Sequence, residues 1–568
     1  SGTLDVIANS IVILSNNNLK LPSKQILLTS EQINQREIVV TSKSKHYVND
    51  LLLSSTNILI QKSGKLVTPP LLTVTGGTTF SVAGHLAGAV SLVVSDQARV
   101  DLKSTGHTDS QQINQYQFYD LVIQDGSNVV VYGIPDGIRC GADPSSDGCW
   151  CNIAYATCSQ GQYCVDETCR DQQVLGSAAV LETQSVRLQP NSMLTIKGSC
   201  NLTTENLTMS STATISGNGG GHQEEQGPGY MQLRQYMMSV GGSHGGRGGN
   251  QMSPPSNGVY NLDDEKYTKF NQNGGTYGSY KYPTTKGSGG AQAVSGSTPS
   301  AVDFGGWGGA ALKITASTEL MINGTISMDG DRGYDYSNTH KSGSGAGGSI
   351  WISTPLLRGM GSIRANGGTG MGGGNAHQWG MGTQGGGAGG GGRVAVYCTT
   401  NEFFGTFNSR AGGLEARISS YSDFPGHKAR CAGPGTIYQQ CGEIVDRLIF
   451  DTTSSCKSPT PISLAHGELS MKVETLEASK QEVILFEDDS LPVTVSVGNL
   501  EGDSSGLLQL ARGQTLVVRG SKNDKRTRKN ARELTMKPLP YTSTSVASDG
   551  ILITAVATIE YMGNLTNP

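Results

Sequence analysis

The stretch GGSIWISTPLLRGMGSIRANGG, residues 347–368, decides the fold because it recurs with small changes before and after itself. The related copies are GGAALKITASTELMINGTISMDG at 308–330 and GGRVAVYCTTNEFFGTFNSRAGG at 391–413, and a fourth relative ends near residue 221. Each copy has a glycine pair, an apolar strand, a turn and a second short strand that leads back into glycine. Matched strands joined by glycine loops of varying length predict stacked supersecondary units, and therefore a solenoid.

The composition of the 568 residues favours strands and argues against several functional classes. Charged residues make up 15% and aromatic residues 6%, while Val, Ile and Leu alternate with polar residues, as half-buried strands require. A formal net charge of -4 gives no field that would attract nucleic acid, and no apolar run approaches the roughly 20 residues of a membrane span. The chain starts at Ser1 without a signal peptide, so we expect a processed mature form.

Residues 1–135 predict consecutive short strands with a turn about every 8 to 12 positions. A β-sandwich and a parallel β-helix both fit this spacing, but the Asn-Gly hairpin turns that a sandwich needs are scarce. We therefore expect an all-β fold, a right-handed parallel β-helix, with N-terminal rungs in 1–135, more rungs in 172–216 and C-terminal rungs in 431–568. Without inserts the chain has on the order of 400 residues, or about 16 rungs in a rod about 75 Å long.

Glycine is concentrated in one part of the chain, since 51 of the 78 glycines lie in residues 217–413. The long insert 217–307 contains GGSHGGRGGN, and its three-residue period is that of a polyproline-II helix, whose glycine faces allow close packing. A flexible linker is the alternative. Large side chains favour ordered loops beside the solenoid, followed by glycine-rich repeats in 308–430. These side chains are Tyr230, Tyr236, Met237, Met238, Tyr260, Tyr267, Phe270, Tyr277, Tyr280, Tyr282, Phe304 and Trp307.

The eleven cysteines predict disulfide bonds and a secretory route. Six lie in residues 136–171, which we expect to form a small insert held together by its bridges: Cys140, Cys149, Cys151, Cys158, Cys164 and Cys169. The others are Cys200, Cys398, Cys431, Cys441 and Cys456. Because eleven is odd, at least one cysteine is free, bonded to another subunit, or paired with a segment outside this chain.

Sequons at Asn201, Asn206, Asn323 and Asn564 predict N-linked glycans on a secreted chain. Together with the cysteines, they favour an extracellular protein, at a cell surface or on a flagellum.

Acidic residues give two weak candidates for chemistry. Asp329, Asp331 and Asp335 follow a repeat strand, and alternating carboxylates on a turn suit calcium, although the bidentate glutamate of a known calcium loop is missing. Exposed turn residues are the alternative reading. Asp446, Arg447 and Asp451 resemble an acid/base group on a rung, but catalysis needs more convergent groups than these. We therefore expect no enzyme, no catalytic residue and no cofactor other than this weak calcium candidate.

The histidines His222, His244, His340 and His377 lie in or beside glycine loops without the regular spacing of a metal site, so hydrogen bonding or exposure is expected. Basic residues gather in 522–532 without interleaved aromatic residues. An exposed loop is the default reading of that segment, and an anionic glycan contact or a processing site is the alternative.

Two resemblances extend these expectations. The six-cysteine insert resembles an EGF-like module in CSQGQYC, but its close cysteine pair, Cys149 and Cys151, stands at a different place in the order, so that family's pairing does not carry over. The run from about 304 to 450, with GGSIWI, GSIRANGG and GGGGRVAVY, resembles glycine-rich β-helix surface proteins of protists. With the insert beside it, the chain is similar to the tubular mastigoneme proteins that form flagellar hairs.

The resemblance implies a non-catalytic subunit of an extracellular glycoprotein filament, whose partners are further copies of the chain, other filament glycoproteins and covalent glycans. We expect assembly through the solenoid ends and the glycine loops. A cell-surface adhesin or glycan-binding β-helix is the first alternative, and a polysaccharide lyase or hydrolase is the second.

Overall fold

Parallel strands stack one above another along this chain, as a computed structural model shows. The structure describes residues 4–7, 25–29, 38–39, 50–53, 57–60, 65–67, 71–82, 85–87, 90–103, 115–133, 138–139, 148–150, 157–159, 163–165, 168–170, 178–224, 226–230, 240–249, 275–291, 293–294, 302–333, 342–370, 386–413, 432–450, 460–461, 470–478, 483–486, 494–502, 507–510, 515–518, 550–553 and 558–561. All regular structure in these ranges is β.

The strands, β1 to β40, are numbered in chain order. The N-terminal strands are β1 (Leu4–Ile7), β2 (Gln25–Thr29), β3 (Ile38–Val39), β4 (Asp50–Leu53), β5 (Asn57–Ile60), β6 (Lys65–Val67), β7 (Leu71–Val74), β8 (Thr79–Val82), β9 (His85–Ala87), β10 (Val90–Val94), β11 (Arg99–Leu102), β12 (Gln115–Ile123) and β13 (Asn128–Tyr132). The insert contains β14 (Ile138–Arg139), β15 (Gly148–Trp150), β16 (Thr157–Ser159), β17 (Tyr163–Val165) and β18 (Thr168–Arg170).

The central strands are β19 (Ala179–Leu188), β20 (Met193–Lys197), β21 (Ser199–Met209), β22 (Thr214–Ser216), β23 (Ala293–Val294), β24 (Val302–Asp303), β25 (Ala311–Ile322), β26 (Thr325–Ser327), β27 (Ser349–Gly359), β28 (Ser362–Arg364), β29 (Arg393–Phe403) and β30 (Thr406–Asn408). The C-terminal strands are β31 (Thr436–Cys441), β32 (Ile444–Phe450), β33 (Thr460–Pro461), β34 (Ser470–Ala478), β35 (Val483–Phe486), β36 (Thr494–Gly502), β37 (Leu507–Leu510), β38 (Thr515–Val518), β39 (Gly550–Ile553) and β40 (Thr558–Tyr561).

Two long parallel sheets form the walls of the solenoid. The main sheet has 17 strands, which follow one another in chain order from β1 to β40. The second sheet has 9 strands, from β5 to β30. At about 4.8 Å per strand, the main sheet extends about 77 Å. The expected all-β parallel solenoid is confirmed, and the sandwich alternative is excluded.

The core lies between the two long sheets and follows from the alternation of buried and outward side chains, which shifts by one residue in the middle of β12. In β12 the pattern QYQFYDLVI buries Tyr116, Phe118, Leu121 and Ile123, and equivalent positions of successive rungs stack above one another. One apolar cluster continues from Leu72 into β31. Side chains of this kind contribute about 1.5–3 kcal/mol each when fully buried, so this cluster stabilises the stack from β7 to β31.

Each rung has a third side, which connects the second sheet to the next strand of the main sheet, and the structure of this side changes along the chain. In the N-terminal rungs a small parallel sheet of β3, β6 and β9 follows the strands of the second sheet. From β22 onward the chain leaves the second sheet in a glycine-rich segment and returns through another glycine-rich segment to the next strand of the main sheet. The glycine-rich segments thus take the place of a third sheet.

These segments form what we call the glycine bundle: residues 217–222, 240–249, 286–291, 304–310, 328–333, 342–348, 364–370, 386–392, 409–413 and 432–435. Segment 342–348 shows its order. Successive N–H groups of Gly343, Ser344 and Gly345 donate to Ala291, Gly387 and Asp331 in three different neighbours. The next three N–H groups, of residues 346 to 348, return to the same three segments in the same order.

A three-residue period of hydrogen bonds is the mark of packed helices of polyproline-II type, which make no internal hydrogen bonds. The expected three-residue period and ordered packing are confirmed for the described glycine segments, and the flexible-linker alternative is wrong for them. Close packing depends on glycine, because a Cβ at Gly345 would overlap the carbonyl oxygen of Trp307. Tyr236, Met237, Met238, Tyr260, Tyr267 and Phe270 lie outside the described residues.

The cysteine-rich insert leaves the solenoid at the same third side, between β13 and β19. We expected no alternating strands there, and its described residues instead form two small antiparallel sheets, β14–β17–β18 and β15–β16. Strands of two or three residues escape sequence patterning because alternation cannot be recognised over so short a length.

The strand direction of the main sheet reverses once, between β31 and β32. These strands are joined by the two residues Gly442 and Glu443, and Gly442 has φ 63°, the positive value that the first position of a type II′ hairpin turn requires. Beyond this turn the strands of the main sheet again pair in parallel. The sequence pattern did not predict this reversal.

The reversal also moves the core to the other face of the main sheet. Ile437 and its partner Ile449 face the N-terminal core, whereas Tyr438 and its partner Leu448 face the opposite side. Leu448 and the next residue in its row, Leu476, are buried on that opposite side. The handedness of a coil depends on both the strand direction and the face on which the core lies. Because both change together at this turn, stacking can continue with the same hand.

Candidate functional site

An aromatic cluster on the outer face of the main sheet lies next to the reversal. The parallel register places Lys313, Trp351, Ala395 and Tyr438 in one row on neighbouring strands, and Tyr397 lies in the adjacent row. Segment 275–291 crosses these rows and adds Tyr280, Lys281 and Tyr282. We call the five aromatic residues Tyr280, Tyr282, Trp351, Tyr397 and Tyr438 the aromatic platform.

Polar contacts attach segment 275–291 to the sheet on both sides of the reversal. The hydroxyl of Tyr397 donates to the carbonyl oxygen of Lys281 at 2.8 Å. Lys281 Nζ lies 3.2 Å from Asp446 Oδ1 in β32 and donates to the carbonyl oxygen of Lys472 in β34, also at 3.2 Å. Segment 275–291 therefore braces the N-terminal rungs against the C-terminal rungs.

Ring contacts hold the platform together. Tyr282 and Tyr397 are stacked with an interplanar angle of 1° and centroids 6.0 Å apart, and Tyr282 lies 5.4 Å from Trp351. Lys313 Nζ lies 4.0 Å from the centroid of the Trp351 ring, a cation–π contact. Each such aromatic pair is worth about 0.5–1.5 kcal/mol beyond its buried area.

Burial sets the protonation of the platform hydroxyls. It raises the pKa of Tyr438 above the usual tyrosine value, and the hydrogen bond of 2.7 Å that Tyr438 donates to Asp446 Oδ1 adds to the shift. Burial likewise raises the pKa of Tyr397, with Tyr282 as the next cause. Both hydroxyls stay protonated at neutral pH, so they act as donors and not as phenolate nucleophiles.

The platform has an inner and an outer part. Tyr280 and Tyr438 are buried, with 6% and 2% of their surface exposed, and brace the reversal. Tyr282 is 55% exposed, and its ring covers Tyr397 and Trp351. An exposed Tyr over a partly buried Trp, with a lysine beside the Trp, suits stacking against planar or apolar groups of a partner, because such side chains dominate binding surfaces.

Sequence reasoning found only part of this platform. It identified Tyr280 and Tyr282 as loop residues but missed Trp351, Tyr397 and Tyr438, because they stand on separate strands. Aligning the repeat copies rung by rung would have placed Lys313 beside Trp351, since both follow a glycine pair by a few residues.

The acidic calcium candidate has other partners in the fold. Asp329 pairs with Arg364 Nε at 2.8 Å and accepts a hydrogen bond of 2.7 Å from the amide of Asn366. Burial raises the pKa of Asp329, and the Arg364 charge opposes that shift. Burial also raises the pKa of Asp331, whose carboxylate packs against Gly219. Asp335 lies outside the described residues, so a calcium site that includes it stays a prediction. The described ranges contain no cluster of metal-ligating side chains.

The four histidines also do not form a common metal site within the described residues. His244 is fully buried in the glycine bundle and hydrogen-bonded on both ring nitrogens, which confirms the hydrogen-bonding expectation for this residue. His222 lies near it, and His340 and His377 lie outside the described residues. Glu224, in the sequence HQEE that begins at His222, accepts a hydrogen bond from Trp307 Nε1.

Two members of the acid/base candidate, Asp446 and Arg447, lie on β32 and have different partners. Asp446 faces Lys281 and Tyr438, while Arg447 pairs with Glu477 Oε2 at 2.6 Å. Asp451 and the basic segment 522–532 lie outside the described residues.

Among the cysteines whose side chains the structure describes, two form a disulfide bond and one is a free thiol. Cys398 on β29 bonds to Cys441 on β31, where the register places them side by side just before the reversal. Cys200 is free and buried, and burial raises the pKa of its thiol to about 12. A buried thiol has no access to another subunit, so for Cys200 the free alternative applies. Cys431 and Cys456 lie outside the described residues.

In the insert, the antiparallel registers place Cys149 opposite Cys158 and Cys164 opposite Cys169. The residues Cys140 and Cys151 lie outside the described ranges.

Three of the four sequons lie on described strands or turns. Asn201 lies between two buried neighbours on β21 and so faces outward, Asn206 is partly exposed on the same strand, and Asn323 stands in the turn between β25 and β26. Asn564 lies outside the described residues.

Comparisons with other proteins add no assignment. The described part of the chain contains no helix that could cross a membrane. The chain matches no protein-family model, and neither a curated protein nor a solved structure is significantly similar to it.

Proposed function

We propose that this protein is a structural subunit of an extracellular glycoprotein filament, similar in role to the subunits of mastigonemes. The observation that carries the proposal is the main sheet, whose 17 strands extend through both halves of the chain as one stack. Such a stack is a stiff rod of repeating units, and rods of this kind are suited to bear load and to pack side by side or end to end.

The surfaces available for assembly support the same proposal. The described glycine segments donate their backbone hydrogen bonds to one another, so their glycine faces are occupied inside the subunit. The large side chains at the outside of the bundle and on the platform remain exposed: Tyr282 at 55%, Phe304 at 56% and Trp307 at 37%. We therefore place lateral contacts on these side chains rather than on the glycines.

Assembly is tested by electron microscopy and sedimentation velocity of the purified secreted chain. We expect filaments or oligomers that grow with protein concentration. Tyr282→Ala should weaken association by about tenfold or more, as expected for an interface aromatic residue. Tyr119→Ala is a matched control, because Tyr119 is 53% exposed on β12, away from the platform.

Dispersed monomers at all concentrations would contradict the filament proposal. Equal association of the Tyr282→Ala and Tyr119→Ala proteins would leave filament formation intact but remove the platform from the interface.

A glycan-binding adhesin is the second candidate, and the stacked Tyr282 and Tyr397 rings favour it, together with Lys313 over the neighbouring Trp351 ring. The apolar face of a sugar ring packs on aromatic side chains, and a neighbouring ammonium group recognises acidic sugars. Saturable binding on a glycan array that is lost in Tyr282→Ala and kept in Tyr119→Ala would support this candidate. No binding, together with filaments, would favour the structural subunit.

A further inference from the structure

The most exposed apolar side chains of the described residues lie together on one ridge of the solenoid. Met360 and Phe404 are 77% and 82% exposed, and they occupy equivalent turns between the main and second sheets in neighbouring rungs. Asn323 occupies the same turn one rung before Met360. The ridge thus runs from Asn323 through Met360 to Phe404.

Backbone contacts fix this alignment. The amide of Ser362 donates to the carbonyl oxygen of Gly324 at 3.0 Å, and the amide of Thr406 donates to that of Gly361, also at 3.0 Å. Phe404 donates its amide to Gly359 at 2.9 Å. The three turns are therefore stacked directly, and Phe404 stands two rungs, or about 10 Å, from Asn323.

A hydrogen bond holds the side chain of Asn323 against the next turn of the ridge. Its Oδ1 accepts a hydrogen bond of 3.2 Å from the amide of Met360. This contact holds the carboxamide over the neighbouring turn. Nδ2, the atom that a glycan occupies, belongs to a side chain that is partly exposed.

We propose that Asn323 carries an N-linked glycan whose first N-acetylglucosamine residues lie along the ridge and cover Met360 and Phe404. The first two sugars of an N-linked core span two rungs, and their C–H faces and acetamide methyl groups pack on apolar side chains. The glycan thereby removes from water the two largest exposed apolar side chains of this edge.

The covalent step needs a glycan donor in the secretory route, a lipid-linked oligosaccharide pyrophosphate, and so rests on the proposed extracellular function. A bond forms between Asn323 Nδ2 and the anomeric C1 of the first sugar, while the bond from C1 to the pyrophosphate oxygen breaks. The amide nitrogen loses one proton, and the lipid pyrophosphate is the leaving group. Thr325 supplies the hydroxyl that the sequon requires.

Asn206 provides an internal control for this proposal. It is also a partly exposed asparagine of a sequon, but its neighbours in the register are Ser185 and Glu319 rather than exposed apolar residues. A glycan on Asn206 has no comparable surface to pack on, so the two glycans should differ in accessibility within one molecule.

The experiment uses the full chain secreted from a eukaryotic host with an added leader. Native protein is treated with peptide N-glycosidase, and release at each sequon is followed by mass spectrometry of the peptides. We expect release from Asn323 to be about fivefold to tenfold slower than release from Asn206, the factor that a stacking contact gives. The Met360→Ser/Phe404→Ser protein should release both glycans at similar rates, as should the denatured wild type.

The proposal would be overturned by equal release rates in the native wild type. It would also be overturned if Asn323 is unmodified, whether Asn206 carries a glycan or no sequon does. Slow release that persists in the Met360→Ser/Phe404→Ser protein would also overturn it. Failure of the filament proposal is separate: a monomeric chain with slow release at Asn323 contradicts only the filament, and a filament with fast release contradicts only the glycan contact.

Discussion

Burial of His244 inside the glycine bundle fixes the protonation state of a single side chain. The carbonyl oxygen of Gly347, 2.7 Å from Nδ1, accepts only, so Nδ1 carries the hydrogen, and Nε2 accepts from the hydroxyl of Thr285 at 2.8 Å. Burial, followed by the nearby charge of Arg393, lowers the pKa of His244 to about 3. The neutral ring is therefore part of the folded state.

This pKa makes the folded protein sensitive to acid. In the unfolded chain His244 binds a proton below pH 6.5, whereas the folded state excludes it down to about pH 3, so the free energy of unfolding decreases as pH falls through this window. The loss from this group is about 2 kcal/mol between pH 6.5 and 5. Guanidinium unfolding at pH 7.5 and pH 5 should show a stability difference that is smaller by this amount in His244→Gln, and an unchanged pH dependence would refute the buried neutral ring.

Cys200 gives a second prediction for a single side chain. Its thiol is buried, and its pKa is raised to about 12 because burial disfavours the thiolate. An alkylating reagent at pH 8 should leave Cys200 unmodified in the native protein and modify it fully in denaturant, as read by peptide mass spectrometry. Rapid modification under native conditions would show that Cys200 is accessible.

At the scale of an element, the glycine helices depend on the absence of side chains. The three-residue period could be recognised in GGSHGGRGGN because it is local, and the period was confirmed in the structure. The neighbours of each helix could not be predicted, since segments far apart in sequence meet in the bundle. Gly246, for example, donates its amide hydrogen bond to Gly391.

Gly345→Ala tests this packing, because a Cβ there would overlap the backbone of Trp307. The substitution disturbs the hydrogen bonds that Gly345 makes with Asp331 and Gly368, and we expect it to destabilise the protein by about 3 kcal/mol. Gly413→Ala is the matched control in the same bundle, since a Cβ at Gly413 would meet no atom within 4 Å. Thermal unfolding of both proteins measures the difference, and equal unfolding temperatures would contradict the close packing.

At the scale of the whole molecule, repetition made the solenoid predictable and one turn made part of it unpredictable. The alternating residues of TIYQQ and IVDRLIF looked like one continued series of rungs, and the sequence CGE between them was not recognised as a hairpin turn. Pairing of Cys398 with Cys441 depends on the register of β29 and β31, which sequence spacing does not give.

The Cys398–Cys441 disulfide should stabilise the reversal. It closes a sequence separation of 43 residues, for which loop entropy gives about 4 kcal/mol. The double variant Cys398→Ala/Cys441→Ala should therefore unfold at lower denaturant concentration, with the C-terminal rungs losing hydrogen-exchange protection first. Cys200→Ala serves as a control that removes a thiol without removing a bridge, and unchanged protection in the double variant would refute the role of the bridge.

The glycine bundle also affects how stability changes with temperature. Unfolding an apolar core raises the heat capacity, whereas exposing peptide groups lowers it. The bundle buries mostly peptide groups, whose hydrogen bonds join glycine segments directly. Its unfolding therefore has a smaller heat-capacity change per residue than that of the apolar rungs beside it. A flatter stability curve follows, so the glycine-rich side of the rod should lose less of its stability on cooling than the side built on Val, Ile and Leu.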